Sequence, residues 1–210
     1  MCLCSWVRPF DCNISFVILQ HPLERRRRIA TGRLTHLFLQ NSYMIHGHDY
    51  DTDRLLCRLI QDPKYVSVIL YPQFPSLRID QASLSEKKGV LPRGKKLRVL
   101  LVDGTWATAK KTIRNSSMLS VLPRISFVPA KPSKFEIRKQ PNALCLSTLE
   151  ATHACIEYLS DLAEFDVSTR QHDHMLTAFY AMIDMHKQTL RDRAKSGLGR
   201  KPRKVEKENK

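Results

Sequence analysis

The chain has 210 residues, 42% of them hydrophobic, enough to bury a core without disulfide or metal staples. It contains no run near the roughly 18 apolar residues of a membrane span. Thirty-five Lys and Arg against 20 Asp and Glu leave a net charge of +15. That balance implies a polyanionic partner: nucleic acid rather than an anionic membrane surface, because no basic amphipathic helix with large apolar anchors is evident. Met1–Phe10 lacks the long apolar stretch of a signal peptide, so the expected compartment is the cytoplasm, with no membrane partner. There the six cysteines are thiols or metal ligands rather than a disulfide framework.

In chain order, residues 1–15 form an N-terminal segment holding Cys2, Cys4 and Cys12, one thiolate short of a closed structural zinc site. Cys57, Cys145 and Cys155 sit in apolar patterns and are expected to be buried. Phe16–Leu19 predicts a buried strand ending in the loop Gln20-His21-Pro22. Arg25, Arg26, Arg27 and Arg28 cannot all face a core; they make either a solvated loop or, as the overall charge favours, a phosphate clamp. Thr31-Gly32 precedes a helix over Arg33–Leu39, followed by a strand over Tyr43–His46, a helix over Thr52–Gln61 ended by Pro63, and a strand over Tyr65–Leu70 closed by Tyr71-Pro72. Pro75–Pro92 is polar enough to be a loop with at most one helical turn.

Val99–Val102 predicts the next buried strand, broken at Asp103-Gly104. Thr105 can cap a helix on which Trp106, Ala109 and Ile113 recur at helical spacing. Strand, tight turn and helix thus bring a carboxylate, a hydroxyl and an indole to a strand end, where open α/β sheets bind ligands. The local pattern fits equally an ordinary turn in which Asp103 only caps and Trp106 only fills core. Pro123–Val128 predicts a further strand, and Pro129–Pro141 a basic loop with Lys131, Lys134, Arg138 and Lys139. Ser147-Thr148-Leu149-Glu150 is a capping box opening a helix to about Glu164. Its N-terminus offers backbone donors to an anionic group, although a plain helix start is the commoner meaning. A last helix spans His172–Arg193, before a basic tail without large hydrophobes, 194–210, expected to be disordered and able to bind nucleic acid. His21, His36, His46 and His48 match no metal-ligand spacing. The alternation of elements predicts an α/β fold with a mostly parallel sheet and flanking helices.

Asp103-Gly104-Thr105-Trp106, Ser147-Thr148-Leu149-Glu150-Ala151, Gln20-His21-Pro22-Leu23-Glu24, Thr31-Gly32-Arg33-Leu34, Tyr71-Pro72 and the loop residues Ser133, Phe135, Ile137, Arg138 and Lys139 occur in an order that resembles the DTW-domain family. That family comprises the tRNA-uridine aminocarboxypropyltransferases. The resemblance implies a catalytic domain over 16–193 with a SPOUT-like, knotted architecture. It also implies transfer of the 3-amino-3-carboxypropyl group of S-adenosylmethionine to N3 of a tRNA uridine. Asp103, Thr105 and Trp106 become catalytic candidates, with Asp103 either general base or orienting group. Tyr71, Pro72, Asp103, Gly104, Leu146, Ser147, Thr148 and Glu150 are cofactor candidates. Arg25, Arg26, Arg27, Arg28, Arg33, Lys134, Arg138 and Lys139 are tRNA candidates. The family usually opens with two cysteine pairs, whereas Cys2 and Cys4 look like the second only, so the start is truncated or a zinc site is lost. The rival readings are a non-catalytic RNA-binding protein and an S-adenosylmethionine-dependent RNA methyltransferase. The modified uridine, the tRNAs chosen and the oligomeric state are not readable.

Overall fold

The computed structural model describes residues 2–27, 29–92, 94–137 and 144–196. Arg28, Arg138, Lys139 and most of the basic tail lie outside them. The described residues form one six-stranded, all-parallel sheet in the order β2-β1-β5-β3-β6-β4. The strands are β1 (Ser15–Gln20), β2 (Ser42–His46), β3 (Tyr65–Leu70), β4 (Leu77–Arg78), β5 (Lys96–Asp103) and β6 (Arg124–Ser126). β1 and β5 lie side by side in the middle, and their nearly unbroken apolar runs suit strands covered on both faces.

Alternate side chains of these strands feed two cores. Phe16, Ile18, Val99 and Leu101 pack with Leu34 and Phe38 of α2 (Thr31–Phe38), Leu149 and Ile156 of α7 (Thr148–Ala163), and Phe179 of α8 (Asp173–Lys195). Val17, Leu19 and Leu100 pack on the other face with Leu56 of α3 (Arg54–Gln61), Ala109 and Ile113 of α5 (Trp106–Asn115) and Leu119 of α6 (Ser117–Ser120). The chain therefore leaves β1 for one face, through the short α1 (Pro22–Arg25) into α2, and leaves β5 for the other through α5. The carboxyl ends of β1 and β5 border a crevice at a topological switch point, the usual ligand position in such sheets.

Two expectations need correction. Pro75–Pro92 is not mainly loop, because it holds the edge strand β4 and the helix α4 (Leu84–Val90). The missed signal was the capping box Ser83–Glu86, in which each partner satisfies an amide of the other. The polar appearance misled because Lys87 is buried, its ammonium bonded to Tyr158 O and Asp161. Cys57 is only half-buried, whereas Cys145 and Cys155 are buried. Of the two readings open for Trp106, core filling does not hold: it is 41% exposed, although Ala109 and Ile113 on the same helix are buried.

Away from the crevice, Asp51 ties the segment before α3 to the start of α6. It accepts hydrogen bonds from the Ser116 hydroxyl, from the Ser117 amide and hydroxyl, and from the Met118 amide. These donors, the Ser116 hydroxyl first, pull its carboxyl down to about 2. A folded-state value below the unfolded one adds stability that is complete above the ordinary carboxylate range and is lost as pH falls toward about 2. Asp51→Asn is accordingly expected to lower the melting temperature at neutral pH and to flatten its decline in acid. Parallel melting curves of variant and wild type across that range would refute the assignment.

Candidate active site

In the parallel register Gln20 stands opposite Asp103, so the last residues of β1 and β5 place their side chains together. Asp103 is 2% exposed. Its Oδ2 accepts from Gln20 Nε2 at 2.9 Å and its Oδ1 from Thr148 Oγ1 at 2.6 Å. No ion pair to Asp103 occurs among the described residues. A buried carboxylate without a cation needs donors, and here Gln20 on β1 and Thr148 at the start of α7 supply them. Thr148 is the first residue of α7, and Gly32 lies in the first turn of α2 so close that a Cβ there would stand 2.5 Å from Asp103 Oδ2. Each carboxylate oxygen keeps a second lone pair for a ligand.

Gln20 has 0% exposure and its Oε1 is buried without a partner. The reverse orientation of the amide would set that oxygen against the Asp103 carboxylate. Tyr50, 1% exposed, donates its hydroxyl to Gly47 O, and burial first, then the Asp103 charge, pushes its pKa up. His21 continues β1 with its amide donating to Asp103 O at 3.0 Å, while its ring Nδ1 accepts from Leu23 N to cap α1. Gln20, Gly32 and Tyr50 carried no role in the sequence reading. Only their long-range placement against Asp103 reveals one.

Thr105 caps α5 as expected, accepting from Thr108 N. A Cβ on Gly104 would meet Thr108 Oγ1 at 2.5 Å, which explains why the turn after Asp103 carries no side chain. The Trp106 ring lies 6.4 Å from that of Tyr71, tilted by 38°. Tyr71 closes β3 and is buried, with its hydroxyl pKa raised by burial and partly offset by Arg124. Pro72 is exposed, and beyond it Phe74 is 92% exposed, a second aromatic with an open face.

Around α7, Leu146 is half-buried and Ser147 buried, and the Ser147–Glu150 capping box forms as expected. Glu150 is buried and does more than cap, since it also accepts from Ser133 Oγ at 2.7 Å and Lys134 N at 2.8 Å. Its oxygens thus hold the chain's own donors and tether the basic loop to α7.

The cationic candidates are surface residues. Arg25, Arg26, Arg27 and Arg33 are exposed and adjacent: Arg33 donates to Arg25 O at 3.1 Å, and Arg27 pairs with Glu24 at 3.2 Å. Lys134 is exposed, with its ammonium 4.6 Å from the Tyr180 ring centroid. Arg28, Arg138 and Lys139 fall outside the described residues. Cys2 and Cys4 are exposed, their sulfurs 3.1 Å apart, and no third ligand joins them among the described residues. Cys12 is instead buried, its thiol pushed up to about 12 by burial. Two thiols do not fit a closed zinc site, which needs four ligands.

The DTW domain matches residues 1–187. The chain is 30% identical over 161 residues to tRNA-uridine aminocarboxypropyltransferase 2 of Drosophila melanogaster, covering 74% of this chain and 60% of that protein. It is 28% identical over 165 residues to the protein of the same name from Mus musculus, covering 76% and 53%. With tRNA-uridine aminocarboxypropyltransferase A of Arabidopsis thaliana it shares 26% over 185 residues, covering 74% and 67%. The chain thus spans little more than half the length of the first two relatives. No solved structure matches it at a comparable level. With the domain match reaching from the first residues into α8, the chain belongs to the DTW-domain family.

Proposed function

We propose that the chain is a tRNA-uridine aminocarboxypropyltransferase that uses S-adenosylmethionine and modifies N3 of a uridine. The observation that carries this reading is the buried Asp103 carboxylate, fixed by Gln20 and Thr148 at the switch point with the exposed Trp106 at the next helix start. Names of the relatives support the reaction class. The crevice fits the cofactor in that it combines aromatic surface, a helix start and the unpartnered Gln20 Oε1. Tyr71, Pro72, Gly104, Leu146, Ser147 and Thr148 would hold it. When bound, S-adenosylmethionine supplies a γ-carbon activated by a sulfonium, which leaves as neutral methylthioadenosine.

In this reading Asp103 accepts the N3 proton of the uridine as the N–C bond forms, and Gln20 and Thr148 keep its oxygens aimed. Trp106 and Phe74 offer faces on which an unstacked base can rest. Arg25, Arg26, Arg27, Arg33 and Lys134 contact tRNA phosphates, as do Arg28, Arg138 and Lys139. The reading also includes a SPOUT-like knotted architecture, with which an all-parallel sheet is compatible. A tRNA substrate supports a cytoplasmic setting; no helix among the described residues is long and apolar enough to cross a membrane.

The test is incubation with unmodified tRNA and S-adenosylmethionine labelled either in the aminocarboxypropyl group or in the methyl group, followed by nucleoside mass spectrometry. Aminocarboxypropyl label in uridine is expected. Methyl label in RNA would make the chain a methyltransferase, and tRNA binding without transfer would make it an RNA-binding protein. Replacing Arg25, Arg26, Arg27 and Arg33 with Ala is expected to weaken tRNA binding and to lower the slope of log affinity against log salt by about 0.7 to 0.9 per lost phosphate contact. An unchanged slope in filter binding would place the tRNA elsewhere.

A further inference from the structure

Four potential ligands converge outside the Asp103 crevice, where α7 meets the start of α8. His153 and Glu157 lie four residues apart on one face of α7; His172 stands just before α8, without a side-chain capping bond, and Asp173 is the first residue of α8. Their ligand atoms all lie within 4.8 Å of one another. His153 Nε2 is 2.8 Å from Asp173 Oδ1, His172 Nε2 is 2.9 Å from Glu157 Oε1, and His172 Nε2 is 3.7 Å from Asp173 Oδ1. Tetrahedral bonds of about 2.0–2.2 Å to nitrogen and oxygen place neighbouring ligand atoms roughly 3.3–3.6 Å apart. The two closest pairs would part by about half an ångström, and pairs as far apart as 4.8 Å would close by about 1 Å, for the four groups to surround an ion.

Three further features favour a cation here. His172 has 0% exposure, yet its Nδ1 has no partner, so the fold buries a polar ring whose bonding is directed only into the cluster through Nε2. The walls are apolar and aromatic: the His153 and His172 rings lie 4.7 Å apart, and Phe165 meets His172 edge-on at 5.8 Å. Such a shell strengthens coordination by excluding water. Finally, Arg170 supplies only one positive charge against two carboxylates. Its guanidinium donates to Asp173 Oδ1 and Oδ2 and to Glu157 Oε1 at 2.8 Å each, from a side chain 52% exposed. It approaches from the solvent side, and each of those oxygens retains a second lone pair for a metal. Arg170 thus takes the outer position that orients ligating carboxylates.

We propose that His153, Glu157, His172 and Asp173 bind a divalent transition-metal ion of the zinc type. Two imidazoles and two carboxylates suit that class, whereas Mg²⁺ and Ca²⁺ take oxygen ligands. None of the four groups bonds to Asp103. The site pins the turn before α8 to the middle of α7, a structural role for the metal.

The test uses the full chain with Cys2→Ser and Cys4→Ser, which removes the exposed thiols as competing ligands. After dialysis against Zn²⁺, elemental analysis is expected to find one ion per chain, and Co²⁺ in its place is expected to give the visible absorption of a low-coordinate N/O site. Asp173→Asn, at a partly exposed position, and His153→Gln, at a buried one, are each expected to weaken Zn²⁺ binding at least 100-fold while circular dichroism stays that of the parent. Absence of a stoichiometric ion in the Cys-substituted chain would overturn the proposal and leave a buried ion-pair network. So would Zn²⁺ binding that both variants retain.

Discussion

Asp103→Asn is expected to reduce aminocarboxypropyl transfer by about 10²- to 10⁴-fold, the usual contribution of a positioned general base. An amide is isosteric with the carboxylate but takes no proton. The structure also says why the variant should fold. Its new NH₂ group would face either Gln20 Nε2 or the Thr148 hydroxyl, two donors in the wild type. Both can adapt: the Thr148 hydroxyl can rotate, and the Gln20 amide can turn its unpartnered Oε1 toward the new donor. A buried charge disappears and an orphaned acceptor gains a partner, so stability should change by less than about 1 kcal/mol. tRNA affinity should also persist, because phosphate contacts elsewhere supply it. Single-turnover rates, melting curves and filter binding on one preparation separate these effects. Transfer within about tenfold of wild type would remove the base role and leave Asp103 as an orienting group.

Gly32→Ala is expected to be nearly as damaging, although it touches no charge. In isolation the change favours a helix by roughly 1 kcal/mol. In this fold the added carbon would stand 2.5 Å from Asp103 Oδ2 and 2.6 Å from its Cγ, so one of the two must move. Either α2 backs away, opening its packing of Leu34 and Phe38, or the carboxylate rotates off Gln20 and Thr148. Misplacing a reacting group by about 1 Å can cost on the order of 10²-fold in rate, and overpacking about 1–3 kcal/mol in stability. Measured kcat for transfer should fall with KM for tRNA little changed. A variant with wild-type kcat would mean that the carboxylate tolerates displacement.

Asp103, Thr105 and the Ser147–Glu150 box were legible because turn and capping chemistry is local. Strand and helix periods placed β1, β3, β5, α7 and α8 within a few residues of their observed bounds. What resisted reading was contact between distant segments. Gln20 gains its role from a register that pairs it with a residue 83 positions away. Gly32 matters only because α2 starts against β5, and Glu150 looked like a cap until the fold brought Ser133 and Lys134 to it. Trp106 shows the converse, since its spacing matched a buried face that the first turn of α5 does not bury. The histidine pair of α7 and α8 was invisible for the same reason, because 153 and 172 share no local motif.

Thr148 and His153 belong to one unbroken helix, five residues apart, or about 7.5 Å along its axis. A rigid rod cannot shift at one point without carrying the other. Thr148 holds Asp103, and His153 is tied to the head of α8. Whatever loosens or tightens the junction of α7 and α8 is therefore expected to reach the Thr148 hydroxyl as a small translation against the Asp103 carboxylate. Hydrogen exchange at the first amides of α7 should register that translation whenever the α7–α8 junction is perturbed.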